Sequence, residues 1–120
     1  MEVQQQSTGL WYSAEYWSFT IGDETNDQYR IKVDGYSGDA GDVMHVTINN
    51  GSYYLDGMMF KTYDHDNDPR HNCAVTYGDG WWYNTCHSVS LTSPGPHHVS
   101  YLLPGSEILS TSRMMIKPQQ

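Results

Sequence analysis

Residues 62–87 read TYDHDNDPRHNCAVTYGDGWWYNTCH, from Thr62 to His87. Aspartates alternate at Asp64, Asp66 and Asp68, and both cysteines of the chain, Cys73 and Cys86, fall inside the window. Between the cysteines stands Trp81-Trp82-Tyr83, and His87 follows the second cysteine directly. Carboxylates at every second position of a bent loop can converge on one hard cation, and oxygen-only ligation suits Ca²⁺. The same spacing also fits a solvated acidic turn. An EF-hand does not fit: counting Asp64 as loop position 1, Pro69 stands where glycine is needed and Val75 where the bidentate glutamate belongs.

The rest of the chain bounds what this window can serve. A chain of 120 residues makes one domain at most. Ten Tyr, four Trp and six Met against two Phe and eleven Gly imply an aromatic-rich core with many turns and short strands. The net charge of −8 leaves nothing to neutralise a run of phosphates, which argues against nucleic acid and against anionic membrane surfaces. Twelve of the fourteen acidic residues lie between Glu15 and Asp79, as a cation-binding or a merely solvated face would require. No apolar run reaches membrane-spanning length. MEVQQQSTGLWYS lacks the basic and apolar regions of a secretory signal. The spacing of Cys73 and Cys86 suits a disulfide worth roughly 3 kcal/mol in the chain-entropy model. Two free thiols in a reducing compartment are the alternative.

Along the chain, residues 11–21 (WYSAEYWSFTI) alternate loosely and predict a strand, and residues 28–33 (QYRIKV) predict its hairpin partner across a GDETND turn. DGYSGDAGD, with glycines at 35, 38 and 41, predicts an irregular loop with unusual backbone angles. VMHVTI at 43–48 predicts a short strand, Asn50-Gly51 a hairpin turn, and SRMMIK at 112–117 a closing strand. Asn50-Gly51-Ser52 is also a glycosylation sequon. Four prolines break residues 56–106, which predicts loops tied together by something other than regular ladders. The fold class is α+β, or mostly β, with a large loop-built lobe.

Zinc is disfavoured, because His65, His71, His87, His97 and His98 come without C-x-x-C or helical H-x-x-x-H spacing. No nucleophile-elbow pattern supports Ser-His-Asp catalysis, so no enzyme is expected. Adjacent tryptophans in a strand face opposite ways, so one can anchor a core while the other supports a loop. Main-chain N–H groups held beside Cys86-His87, with aromatic walls, would make a small pocket for a carbonyl or acetyl group.

These pieces together resemble a fibrinogen-related domain, the C-terminal globular module of fibrinogen chains, ficolins, tachylectins, tenascins and angiopoietins. The resemblance rests on Tyr29-Arg30-Ile31, the run from Gly35 to Asp42, and Met59-Phe60-Lys61-Thr62 leading into the aspartates. It continues through Asn72-Cys73-Ala74, Tyr77, Gly80-Trp81-Trp82-Tyr83, Cys86-His87 and Met114 to Pro118, so it covers residues 14–118. It implies the C-terminal part of such a domain, with a short antiparallel sheet plus a loop-rich calcium-binding lobe. Residues 1–120 would then be a partial domain without the family's N-terminal portion, which would leave a sheet edge and aromatic surface uncovered.

The resemblance further implies a Cys73–Cys86 disulfide, an extracellular setting and Ca²⁺ on Asp66 and Asp68, with Asp64 supporting the loop. Main-chain carbonyls of Arg70 and Asn72, or alternatively Pro69 and His71, would complete the cation site. It implies a pocket for acetylated sugars formed by Tyr77, by Thr85, Cys86 and His87 beside a cis Thr85–Cys86 bond, and by Tyr101 in His98-Val99-Ser100-Tyr101. The expected function is lectin-like recognition of acetylated glycans in innate immunity, with adhesive or receptor-binding contact to an extracellular protein as the alternative. A non-functional fragment is the remaining alternative, and oligomeric state is open. Two segments depart from the family pattern: Val89-Ser90-Leu91-Thr92-Ser93 after the histidine, and 102–107 (LLPGSE) where a tryptophan-bearing segment is expected.

Overall fold

A computed structural model describes residues 1–46, 54–64, 72–84 and 86–118. Its principal sheet is antiparallel and four-stranded, in the order β3-β2-β1-β6. Strand β1 is Glu2–Gln5, β2 is Trp11–Ile21, β3 is Ile31–Gly38 and β6 is Leu109–Arg113. A one-turn helix α1, Glu24–Asp27, joins β2 to β3, and a second, α2, spans Cys73–Tyr77. Two-residue strands β4 (Val89–Ser90) and β5 (Val99–Ser100) form a separate ladder, with a 3-10 turn at Gly95–His97 between them.

The predicted first strand carries the observed bounds, and its hairpin partner is the expected segment displaced toward the C-terminus. Residues 28–30 are not strand: Gln28 and Tyr29 have positive φ, and the α1 turn is fastened by Asp23, whose carboxylate accepts from Asn26 N at 2.7 Å. The glycine-rich run does take unusual angles (Gly35 φ 75°, Gly38 φ 130°), yet Asp34 to Gly38 continue β3 rather than forming a loop.

The loose alternation of β2 has a geometric cause. Ala14 and Tyr16 pack inward, but farther along so does Phe19, and on β3 the inward set runs Ile31, Val33 and then Tyr36. The parity switches at Trp17, which the register places opposite Gly35. A Cβ on Gly35 would lie 2.7 Å from Trp17 Cβ, so only glycine allows the switch. Trp17 itself is 86% exposed, and Trp11, Ile21, Met115 and Ile116 are also exposed.

Strand β1, unforeseen in the sequence, lies between β2 and β6 and ties the ends of the chain together. Its Gln5 is 1% exposed, yet its amide is satisfied: Nε2 donates to the carbonyls of Pro104 and Ser106 at 2.7 Å each, and Oε1 accepts from Thr8. The closing strand ends at Arg113, whose guanidinium pairs with Glu2 and sits 5.4 Å over the Trp11 ring. Met114 to Ile116 continue beyond it as exposed, non-strand residues. Residues 43–46 are likewise not strand; 47–48 and the Asn50-Gly51 turn lie outside the described residues.

Two apolar clusters share Met1, Tyr16 and Leu91 at their border. The larger gathers Ile31, Met44, Leu55, Trp81 and Tyr83, and the smaller Val3, Ala14, Ala40, Leu103 and Leu109. Both tryptophans of the pair are buried in the larger cluster. Trp82 packs edge-on to Phe60 and donates its Nε1–H to Tyr29 O at 2.8 Å, fixing the loop that enters β3.

Candidate recognition site

The described ends of the decisive window are fastened by three devices. Lys61 and Trp81 exchange backbone hydrogen bonds of 2.9 and 3.1 Å. Thr62 Oγ1 donates to Asp64 Oδ1 at 2.7 Å, so Asp64 braces the start of the loop. Cys73 and Cys86 are joined, with Cα atoms 5.5 Å apart. The disulfide reading of the sequence is thus realised, and the chain carries no free thiol among the described residues.

Asn72 enters α2 in the left-handed conformation (φ 45°, ψ 47°), and its carbonyl accepts from Thr76 N at 2.9 Å. That is an unusual angle for a non-glycine residue and turns the chain sharply where the acidic loop meets the disulfide. Asp66, Asp68, Pro69, Arg70 and His71, expected to hold a cation, lie outside the described residues, as does Thr85. Among the described residues no group of three or more His, Cys, Asp and Glu side chains could hold a metal ion.

The expected ligand-binding residues do come together. The ring of Tyr77, at the end of α2, lies 4.7 Å from the His87 imidazole. Tyr101 meets the same imidazole edge-on at 5.9 Å. Tyr101 is placed by the short β4–β5 ladder, which pairs Val89 with Ser100, and by its backbone N–H on Ser88 O at 2.8 Å. The β4–β5 ladder, which includes Val89 and Ser90, thus carries Tyr101 to His87. Asn84 Nδ2 ties the same loop to Tyr54 O at 3.0 Å.

His87 is 3% exposed, and neither ring nitrogen has a hydrogen-bond partner among the described residues. Burial pushes its pKa down to about 4; the Asp79 carboxylate works against this shift and His97 adds to it. The imidazole is therefore neutral at physiological pH, offering one N–H donor and one acceptor nitrogen. A buried pair of unmet polar atoms is costly in a packed core, and it marks a place where a ligand can supply partners. Tyr77 is half-buried and Tyr101 is 39% exposed, so the cluster is reached from their side.

Three members of the cluster were not singled out in the sequence as ligand-contacting. Tyr83 stacks on His87 at 5.8 Å and on Tyr77 at 6.2 Å; it belongs to the quoted GWWY run but reads there as core. His97 meets Tyr77 edge-on at 4.9 Å, whereas its neighbour His98 turns away to hydrogen-bond Ser112 at 2.7 Å. Asp79 accepts from Tyr83, and nothing in the sequence marks it. Two surface grooves are lined by other residues, one by Lys32, Asp34, His45 and Asp56, the other by Gln6, Pro96, His98 and Ile108.

A small twisted sheet that carries a disulfide-closed, aromatic-walled loop defines a loop-built module of the fibrinogen-like globe class. Residues 1–100 match the model of the fibrinogen beta and gamma chains, C-terminal globular domain, and the chain belongs to that family. It is 40% identical over 92 residues to tenascin of Gallus gallus, covering 76% of this chain and 5% of that protein. Among solved structures it resembles the fibrinogen-like globe domain of human ANGPTL6 with a TM-score of 0.63 at 30% identity, over 75% of this chain and 36% of that one. It also resembles a lamprey fibrin D-dimer complexed with the peptide Gly-His-Arg-Pro-amide, with a TM-score of 0.66 at 28% identity, over 75% of this chain and 30% of that one. The chain thus spans a small part of the relatives it matches. No helix among the described residues is long and apolar enough to cross a membrane.

Proposed function

We propose that the chain is a non-catalytic, extracellular recognition module that binds acetylated glycans with the help of Ca²⁺. The observation that carries this reading is the His87 imidazole, buried among Tyr77, Tyr83 and Tyr101 with both nitrogens unmet among the described residues. An acetyl group matches such a wall, because its methyl packs on aromatic faces while its carbonyl takes a hydrogen bond. Tyr77 and Tyr101 form the accessible rim, and Thr85, Cys86 and His87 supply main-chain and ring donors. The Cys73–Cys86 bond supports the extracellular setting, since disulfides persist in oxidising compartments.

The cation would be held by the carboxylates of Asp66 and Asp68, with main-chain carbonyls from Arg70 and Asn72 or from Pro69 and His71. These are hard oxygen donors of the type Ca²⁺ selects. The bound ion supplies positive charge that orders an acidic loop. The residues of the chain do the rest: Asp64 braces one end of that loop, the left-handed turn at Asn72 shapes the other, and the disulfide ties the Asn72 end to the segment that carries His87. Retention on N-acetylated resin tests the reading. Loss with a chelator and with His87→Ala supports it, and retention indifferent to both contradicts it.

A second reading has its own observation. A structural relative is described with a bound basic peptide, and the net charge of −8 here suits a cationic peptide better than a neutral sugar. In that case the same rim would hold a segment of an extracellular protein. Binding of a basic peptide that weakens steeply with salt, together with silence toward N-acetylated resin, would favour it.

A further inference from the structure

We infer that Asp79 is the positioning residue of the recognition cluster: its carboxylate gathers the hydroxyls of Tyr83, Ser90, Thr92 and Ser93 and so holds the phenol ring that backs His87. The inference rests on reading the His87 cluster as the binding site, and it is independent of the class of ligand bound there.

The turn that presents Asp79 is tightly determined. Gly78 closes α2 in the left-handed conformation (φ 76°), its N–H bonding to Ala74 O at 2.9 Å. Gly80 follows, where a Cβ would come within 2.8 Å of Phe60 Cζ. Trp81 then enters its bridge with Lys61. Asp79 is therefore caught between a helix end and a packed glycine, and its backbone has little freedom to relocate.

Its carboxylate joins both walls of the cluster. Oδ1 accepts from the Tyr83 hydroxyl, inside the segment closed by Cys73 and Cys86. Oδ2 accepts from Ser93 at 2.9 Å, from Ser90 at 3.3 Å and from Thr92. Ser90 belongs to β4, which pairs with β5, and β5 delivers Tyr101. Ser90 is 0% exposed, Ser93 is 4% and Tyr83 is 0%, so these hydroxyls need an acceptor inside the protein. Ser90 and Ser93 also pair with each other at 2.8 Å and Thr92 reaches Gly80 O at 2.9 Å, so the hydroxyls around the carboxylate form one network in which the Tyr83 hydroxyl depends on Asp79 for its acceptor. Each donor after Tyr83 comes from residues 90–93, within the segment that departs from the family pattern. The carboxylate and that segment thus form one hydrogen-bonded unit.

The test uses the full chain with Asp79→Asn, Asp79→Ala, Tyr83→Phe and, as a control, Leu109→Ala, which loosens the smaller core away from the cluster. Affinity for N-acetylglucosamine in calcium and the NMR titration of the His87 ring are measured for each. With its carboxylate gone, Asp79→Asn should lose at least about tenfold in affinity. Its His87 midpoint should fall below the wild-type value of about 4, because the charge that opposes the burial shift is absent. Tyr83→Phe keeps the carboxylate, so it should lose similar affinity with the midpoint unmoved, and Leu109→Ala should change neither readout by more than about twofold. Asp79→Asn unchanged in both readouts, or Leu109→Ala reproducing its loss, would overturn the inference. If the wild-type chain ignores N-acetylglucosamine, the glycan reading falls, and Asp79 is then decided by the His87 midpoint and by the Tyr83 ring. A midpoint and ring signals left in place by Asp79→Asn would refute it. Should Asp79→Ala not fold, Asp79→Asn and Tyr83→Phe decide alone.

Discussion

Replacing His87 by phenylalanine should flatten the acid limb of the stability curve. An unfolded histidine takes up its proton near 6.5, whereas burial holds the folded imidazole to about 4. Between those values the unfolded state binds more protons, so lowering the pH favours unfolding. The stability at stake is intact above 6.5 and fully lost below about 4. With about 1.4 kcal/mol for each pH unit separating the two values, the loss comes to about 3 kcal/mol. The side chain is only 3% exposed, so solvent screening removes little of this. His87→Phe retains a ring between Tyr77, Tyr83 and Tyr101 but cannot titrate. Urea denaturation from about pH 7.5 to about pH 3.5, read as wild type minus variant, cancels the carboxylates common to both. That difference should shrink by about 3 kcal/mol on acidification, most of it between pH 6.5 and 4. Parallel curves for the two proteins would refute a buried, neutral His87.

Other consequences follow from the same geometry. His45 should behave oppositely. Burial alone would lower its pKa, but hydrogen bonding to Asp42 and the charges of Asp42 and Asp56 outweigh it and raise the value. Its contribution is therefore full below the ordinary histidine range and lost as pH rises through the raised value, so His45→Gln should cost more stability at about pH 6 than at about pH 8.5 by thermal melting. Replacing Cys73 and Cys86 together by serine should remove roughly 3 kcal/mol, read as a lower urea midpoint. Gly38→Ala should cost more than about 1 kcal/mol, since φ is 130° and the new Cβ would sit 2.2 Å from Ser13 O; a melting temperature within error of wild type would contradict that packing.

What the sequence discloses is uneven, and the reasons are physical. Strand β2 can be bounded from its aromatic-polar run because few other structures tolerate that pattern, and the disulfide and the Tyr77–His87–Tyr101 grouping are legible because the resemblance names each residue. The register of β3 is not legible, because its entry depends on a left-handed turn at Gln28 and Tyr29 that is pinned from 53 residues away by Trp82. Strand β1 escapes notice because its four residues, EVQQ, carry one apolar side chain; what holds it is pairing with β2 and the distant β6, and a long-range hydrogen bond from the Gln5 side-chain amide to the Pro104 carbonyl. Asp79 escapes for a similar reason. A carboxylate in a glycine turn looks solvated until folding brings Ser90 and Ser93 onto it.

The most direct measurement is the NMR signal of the His87 ring during titration with N-acetylglucosamine, with calcium and then with chelator. A saturable shift of the ring resonances in calcium, abolished by chelator and absent in Tyr101→Ala, is the expected result. A ring that stays unmoved while the sugar binds elsewhere, or a shift identical with and without calcium, would contradict a calcium-ordered recognition site at His87.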